Sequence, residues 1–134
     1  MEATSDKNGV LVGPSFHDGY LLGIELMPGK SLRLLCRTVD NLDHHGTVGG
    51  LICLRTIDFT EGSTISAVIQ KPVKDCSSEE VRNVRRISGP MESQYLRQAL
   101  DAIRKNDWRF LNVLTSTECR LLALFSGEID ATAV

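Results

Sequence analysis

The chain has 134 residues, of which 42% are apolar, 24% charged and 5% aromatic. That is the size of one ordinary domain with enough Leu, Ile and Val for a core, which excludes a disordered chain and leaves little room for a second core. The formal charge of -2 offers no general basic excess for gripping nucleic acid, so no nucleic-acid partner is expected.

Residues 1–14, MEATSDKNGVLVGP, carry acids and glycine but no basic region followed by a long apolar run, so they do not read as a signal peptide. No segment approaches the roughly 18 uninterrupted apolar residues of a membrane span. A cytoplasmic protein with no membrane partner is expected, and residues 1–14 are expected to be a flexible lead-in holding at most one short strand. From Tyr20 the pattern has period two, with Leu22, Ile24 and Leu26 on one face and Leu21, Gly23 and Glu25 on the other, which predicts a strand. Met27-Pro28-Gly29-Lys30 supplies a turn, and Leu32, Leu34 and Cys36 then alternate with Arg33, Leu35 and Arg37 to complete a hairpin.

Asn41 to Gly50 holds Asp43, His44, His45 and the three glycines Gly46, Gly49 and Gly50, a composition that predicts a loop. Leu51 to Thr56 and Ile65 to Gln70 alternate again as strands, separated by a turn at Asp58 to Gly62. Ser77 and Glu80 have the spacing of a capping box, which predicts a short helix from about Ser78 to Ile87. Gly89-Pro90 would stop it. Leu96, Ala99, Leu100 and Ile103 then fall at helical spacing within a second helix from Ser93 to Asn106. Trp108 to Thr115 and Arg120 to Phe125 read as a closing hairpin, and residues 127–134 as a tail that frays or lies along the surface.

The expected fold is therefore α+β: one domain over residues 15–126, with a curved, mostly antiparallel sheet of about six strands packed against one or two helices. Strict alternation places Leu21, Leu35, Ile52, Leu54 and Val68 opposite the residues assigned to the core. Apolar content on both faces calls for a cover, either closure of the sheet into a barrel-like form or a partner on the second face.

Chemistry-bearing residues are few. His17 and Asp18 stand together before the first confident strand, which suggests a base and its orienter, but neighbouring side chains of an extended segment point apart. His44 and His45 lie among Asp40 and Asp43, and imidazoles beside carboxylates can hold a transition metal if a third ligand such as His17 joins them. A solvated loop accounts for the same composition, and no metal or other cofactor is expected. Cys36, Cys53, Cys76 and Cys119 are widely spaced with no C-x-x-C pair, which predicts free thiols packed as small hydrophobes. Cys119 falls in a predicted hairpin loop, where a thiol can be exposed. No Gly-rich loop precedes a helix, and there is no G-x-S-x-G or H-E-x-x-H.

The segments Ser15-Phe16-His17-Asp18-Gly19, Asp58-Phe59-Thr60-Glu61-Gly62 and Trp108-Arg109 resemble those of a group of small uncharacterised bacterial proteins, over a stretch from about Ser15 to Phe125. In outline the pattern is also similar to small α+β immunity-type proteins. That resemblance implies action by binding a partner without catalysis, and it carries no individual residue across. The expected function is a non-enzymatic protein-interaction module, immunity-type or regulatory, whose partner is another protein or a second copy as a homodimer. The candidate binding residues are His17, Asp18, His44, His45 and Trp108. Two alternatives stand beside it: a small-ligand-binding protein with a pocket inside the curved sheet, and a small hydrolase using His17 with Cys119 or Asp18.

Overall fold

The structure, a computed structural model, describes residues 2–87 and 94–133. In the N-terminal segment β1 (Thr4–Ser5) and β2 (Leu11–Gly13) pair as a small ribbon. The Asp6 carboxylate closes the turn between them by accepting from the amides of Asn8 at 2.8 Å and Val10 at 3.0 Å. β3 (Tyr20–Met27) and β4 (Ser31–Arg37) form the expected hairpin, with Gly29 at a φ of 79° in its turn. Then come β5 (Asp43–Val48), β6 (Leu51–Ile57) and β7 (Ser63–Pro72), a one-turn 3-10 segment, and the helices α1 (Ser78–Arg85) and α2 (Gln94–Arg104). β8 (Arg109–Thr115), β9 (Arg120–Phe125) and β10 (Ile129–Ala133) close the described chain.

Among the described residues the main sheet has eight strands in the order β10-β5-β4-β3-β7-β8-β9-β6, and every ladder is antiparallel. The α+β class and antiparallel sheet agree with the sequence reading. The strand number exceeds six, and the sheet does not close into a barrel, because its edges β10 and β6 do not pair. The two additional strands lie where composition pointed elsewhere. The expected loop Asn41 to Gly50 contains β5, which is hydrogen-bonded on both sides by β4 and β10, so tertiary pairing outweighs the loop-like composition. The expected tail contains β10, which sends Ile129 and Ala131 into the core. Ala3 and Leu11 of the expected lead-in are buried there too.

β3 and β7 touch through only two residue pairs, Tyr20↔Thr64 and Leu21↔Ser63. Beyond them the strands part, and the two four-stranded halves turn their inner faces together as a sandwich. Leu21, Leu32, Leu34 and Val48 of one half meet Ile65, Val68, Leu111 and Phe125 of the other in a single buried cluster. Bulges at Leu21–Gly23 and Ile65–Ala67 shift the alternation on both hinge strands. Leu21 and Val68 consequently point into the core, which corrects the faces assigned by strict alternation.

The outer face of the β7-β8-β9-β6 half is also apolar, and the helices cover it. Val81 and Val84 of α1 with Leu96 and Leu100 of α2 pack on Phe110, Leu122 and Leu124. The outer face of the other half is polar, carrying Glu25, Arg33, Arg37 and Asp43 with ion pairs across its strands. Of the apolar residues that strict alternation placed on the second face, Leu21 and Val68 lie in the core and Leu54 packs against it, whereas Leu35 stays half-buried on the polar outer face and Ile52 is exposed.

The capping box forms as predicted: Ser77 Oγ accepts from the Glu80 amide at 3.1 Å, and Glu80 Oε1 accepts from the Ser77 amide at 2.9 Å. Lys71 donates to the same carboxylate at 2.8 Å and ties α1 to β7. Partial burial pushes the Glu80 carboxyl up, but the bonds from Lys71 and Ser77 outweigh it and hold the group below its ordinary value of 4.5. The expected stop at Gly89-Pro90 and the expected helix start at Ser93 lie outside the described residues. At the turn from β5 to β6, Gly50 has a φ of 65°, and a Cβ there would strike Ser126 Oγ. Only glycine allows this approach, in which the Gly50 carbonyl accepts from the Ser126 amide at 2.8 Å.

Urea unfolding is expected to show that Phe125→Ala, in the fully buried sandwich core, costs about 3–5 kcal/mol, and that Ser77→Ala costs about 1 kcal/mol. Glu80 has a lower pKa folded than unfolded, so its contribution is complete above pH 4.5 and is lost as pH falls through the folded value. Glu80→Gln should flatten the acid limb of the stability–pH curve below pH 4.5, and an unchanged slope would contradict the assignment.

Candidate functional site

Because successive strands run in opposite directions, the connections sort to two ends of the sandwich. The β2–β3, β4–β5, β6–β7 and β8–β9 connections share one end, here the loop end. Backbone bonds stitch them to each other. Asp18 N donates to Ile65 O at 2.9 Å, Gly62 N to Leu21 O at 2.9 Å, and Ser116 N to Thr64 O at 2.9 Å. Gly19 lies so close to the Arg37 carbonyl that no Cβ would fit. Loops held at fixed positions by a packed sheet are where proteins most often place recognition residues.

His17, Asp18 and His44 are brought to this end. Asp18 has a φ of 62°, so the segment is a turn and the two side chains do not part as extended neighbours would. His17 Nε2 stands 3.5 Å from Asp18 Oδ2, and His17 Nδ1 is 2.7 Å from the Ser66 carbonyl. Both side chains are about two-thirds exposed, at 66% and 65%. In that setting the pair meets bulk water on its open side, where an ion pair contributes little and no wall holds a substrate.

His44 and His45 separate because they are strand residues and not loop residues. His44 turns toward the core side, where its ring meets Phe16 edge-to-face at 5.7 Å. His45 lies on the polar outer face opposite Leu35 and Thr132. Among the described residues no group of three His, Cys, Asp or Glu side chains is arranged to hold a metal. Trp108 stands apart from the rest, at the opposite end, half-buried against the helix-covered cluster with its carbonyl accepting from the Val73 amide at 2.9 Å.

All four cysteines are free. Cys119 is buried at 1% exposure, contrary to the expectation of an exposed loop thiol, because Thr115 Oγ1 donates to its carbonyl at 2.7 Å and folds the turn inward. Burial pushes the Cys36 thiol up to about 12. Burial, reinforced by Glu80, pushes that of Cys76 to about 11. Between the sheet halves, a cavity of about 20 Å3 remains, lined by Leu11, Phe16 and Cys36 among others. That is roughly the room one water needs and far below the volume of a small organic ligand.

Sequence reasoning missed the apolar side chains of the loop end. Val39 is 65% exposed, Leu42 59%, Tyr20 41% and Phe59 37%. Around them stand Asp18, Asp40, Asp43, Asp58, Glu61 and Glu118, with Arg37 and Arg120 the arginines of these connections. Arg37 is used up locally: its Nε donates to Asp43 Oδ1 at 2.7 Å, a hydrogen bond that holds the Asp43 carboxyl below its ordinary value. Asp40, Asp58, Glu61 and Glu118 form no ion pair among the described residues. The signal available in the sequence was the placing of Val39, Leu42 and Phe59 inside turn-rich polar segments, where an apolar residue has no core to join.

Compared with protein-family models, with curated proteins and with solved structures, the chain gives no match.

Thiol labelling of the native protein at pH 8, read by intact mass, is expected to leave Cys36, Cys76 and Cys119 unmodified, and unfolding should expose all four thiols. Rapid native labelling of Cys119 would contradict its burial.

Proposed function

We propose that the protein is a non-enzymatic binding module that recognises another protein through its loop end. One observation carries the reading: Val39, Leu42 and Phe59 on loops that the sheet holds in place, with Tyr20 at the start of β3, are exposed amid Asp40, Asp58, Glu61 and Glu118, which form no ion pair among the described residues. Exposed apolar side chains supply the area that drives association, and like-signed charges around them select and steer the partner. The complementary surface is basic with an apolar centre. Two copies meeting symmetrically through this end would set carboxylates against carboxylates, so the favoured partner is a different protein and not a second copy. The exposed His17–Asp18 pair and the buried Cys119 give no support to a hydrolase.

Affinity capture with the full chain and with a Val39→Ser/Leu42→Ser variant is the test. Both positions are solvent-exposed, so the variant should keep its stability within about 0.5 kcal/mol. It is expected to lose at least about tenfold in affinity for the captured partner, equal to 1.4 kcal/mol or more. Wild-type affinity should fall as salt is raised through the range where the Debye length shrinks to about 10 Å. Equal capture by the two proteins, or an affinity indifferent to salt, would overturn the reading.

A further inference from the structure

At the end of the sandwich opposite the loops, the two halves leave a groove of about 730 Å3 between the start of β8, the turn from β9 to β10 and the residues before β1. That volume lies within the range of about 300–1,000 Å3 typical of small-molecule sites. Arg109, the first residue of β8, shares its strand face with Leu111 and Val113, so its side chain stands at the mouth of the sandwich interior. Gln70, the neighbouring residue of β7 on that face, fixes it. The Gln70 Oε1 accepts from Arg109 Nε at 3.3 Å while its Nε2 donates to Ser5 Oγ at 2.9 Å. With Nε taken, the terminal Nη1 and Nη2 form no other hydrogen bond among the described residues.

Three carboxylates line the same groove, from Glu2, Asp107 and Glu128, and Arg109 forms no ion pair with any of them. A half-buried guanidinium held by an amide, with its fork open and acids close by but unpaired, is suited to a carboxylate from outside. A ligand carrying only negative charge would be repelled by the three acids. One carrying a cation as well would satisfy them. Ala3 and Ile129, both buried, give the groove an apolar wall for the body of the molecule.

We propose that this groove binds a small zwitterion, a short peptide with free ends, whose terminal carboxylate is held by Arg109 and whose ammonium lies among Glu2, Asp107 and Glu128. The site is remote from the loop end and does not depend on the reading given for it. The volume exceeds that of a single small amino acid, which favours a dipeptide or longer.

Titration of the isotope-labelled full chain with L-alanyl-L-alanine, followed by amide NMR shifts, tests the assignment. Two blocked probes accompany it: the C-terminal amide of the dipeptide, which lacks the carboxylate, and its N-acetyl form, which lacks the ammonium. The free dipeptide is expected to give saturable shifts at Gln70, Asp107, Arg109 and residues 126–128. The amide should bind at least about tenfold more weakly, as expected for losing hydrogen bonds to a charged partner. Arg109→Gln should remove the preference for a free carboxylate. Glu128→Gln, on an exposed turn, should weaken the free dipeptide and leave the N-acetyl form unchanged. The proposal fails if the wild type shows no saturable shift up to about 10 mM dipeptide, a concentration that fills most of even a millimolar site. It fails equally if the three probes bind alike, an outcome that needs no variant to be read.

Discussion

The two-pair ladder between β3 and β7 is the constraint on which the rest of the architecture depends. A longer ladder would have kept the eight strands in one continuous twisted sheet, with both faces to be covered from outside. Because pairing stops after Leu21↔Ser63 and Tyr20↔Thr64 and bulges follow on both strands, the halves turn inward and bury each other. The same hinge positions the loop end. Ile65, just beyond the ladder, accepts from the Asp18 amide at 2.9 Å and donates to the Gly19 carbonyl at 2.8 Å. One local arrangement of backbone bonds thus creates the core and fixes the connection that carries His17 and Asp18.

The two ends of the sandwich differ in chemistry although one scaffold makes them. The loop end carries apolar tips and the carboxylates of Asp40, Asp58, Glu61 and Glu118, which form no ion pair among the described residues. The opposite end is recessed, with a guanidinium at its centre and acids around it. Helices α1 and α2 cover the outside of one half and present neither feature, so their part is structural: they complete the second apolar face through Val81, Val84, Leu96 and Leu100. Sandwich architectures of this kind serve many unrelated purposes, and the purpose here has to be argued from the ends and not from the layers.

Strands with regular alternation were legible in the sequence, as was the capping box at Ser77 and Glu80, because local periodicity and local hydrogen bonding decide them. β5 was not legible. Its Asp-His-His-Gly-Thr-Val run has turn composition, and it is a strand because β4 and β10 offer hydrogen bonds on both sides. The faces of β3 and β7 were misread for a related reason, since a bulge is a property of the pairing and leaves no mark in the alternation. Among the candidate residues, the proximity of His17 and Asp18 was obscured by assuming an extended backbone where Asp18 adopts a left-handed turn. The divergence of His44 from His45 followed from the missed strand. The groove around Arg109 was invisible to sequence reasoning because its lining comes from segments more than a hundred residues apart, Glu2 and Glu128 among them.

The placing of β10 bears on how the chain acquires its structure. Ile129 and Ala131 belong to the central cluster, and the Ile129 carbonyl accepts from the Ala3 amide at 2.9 Å, so the earliest described residues are secured by nearly the last. β5 likewise has only one neighbour until β10 arrives. During synthesis the β3–β4 hairpin can form as it emerges, but β5 stays an open edge and the sandwich stays unsealed until residues 129–133 have been made. Sealing of the sandwich therefore waits for β10, and until it pairs the sheet exposes both the β5 edge and its apolar inner face.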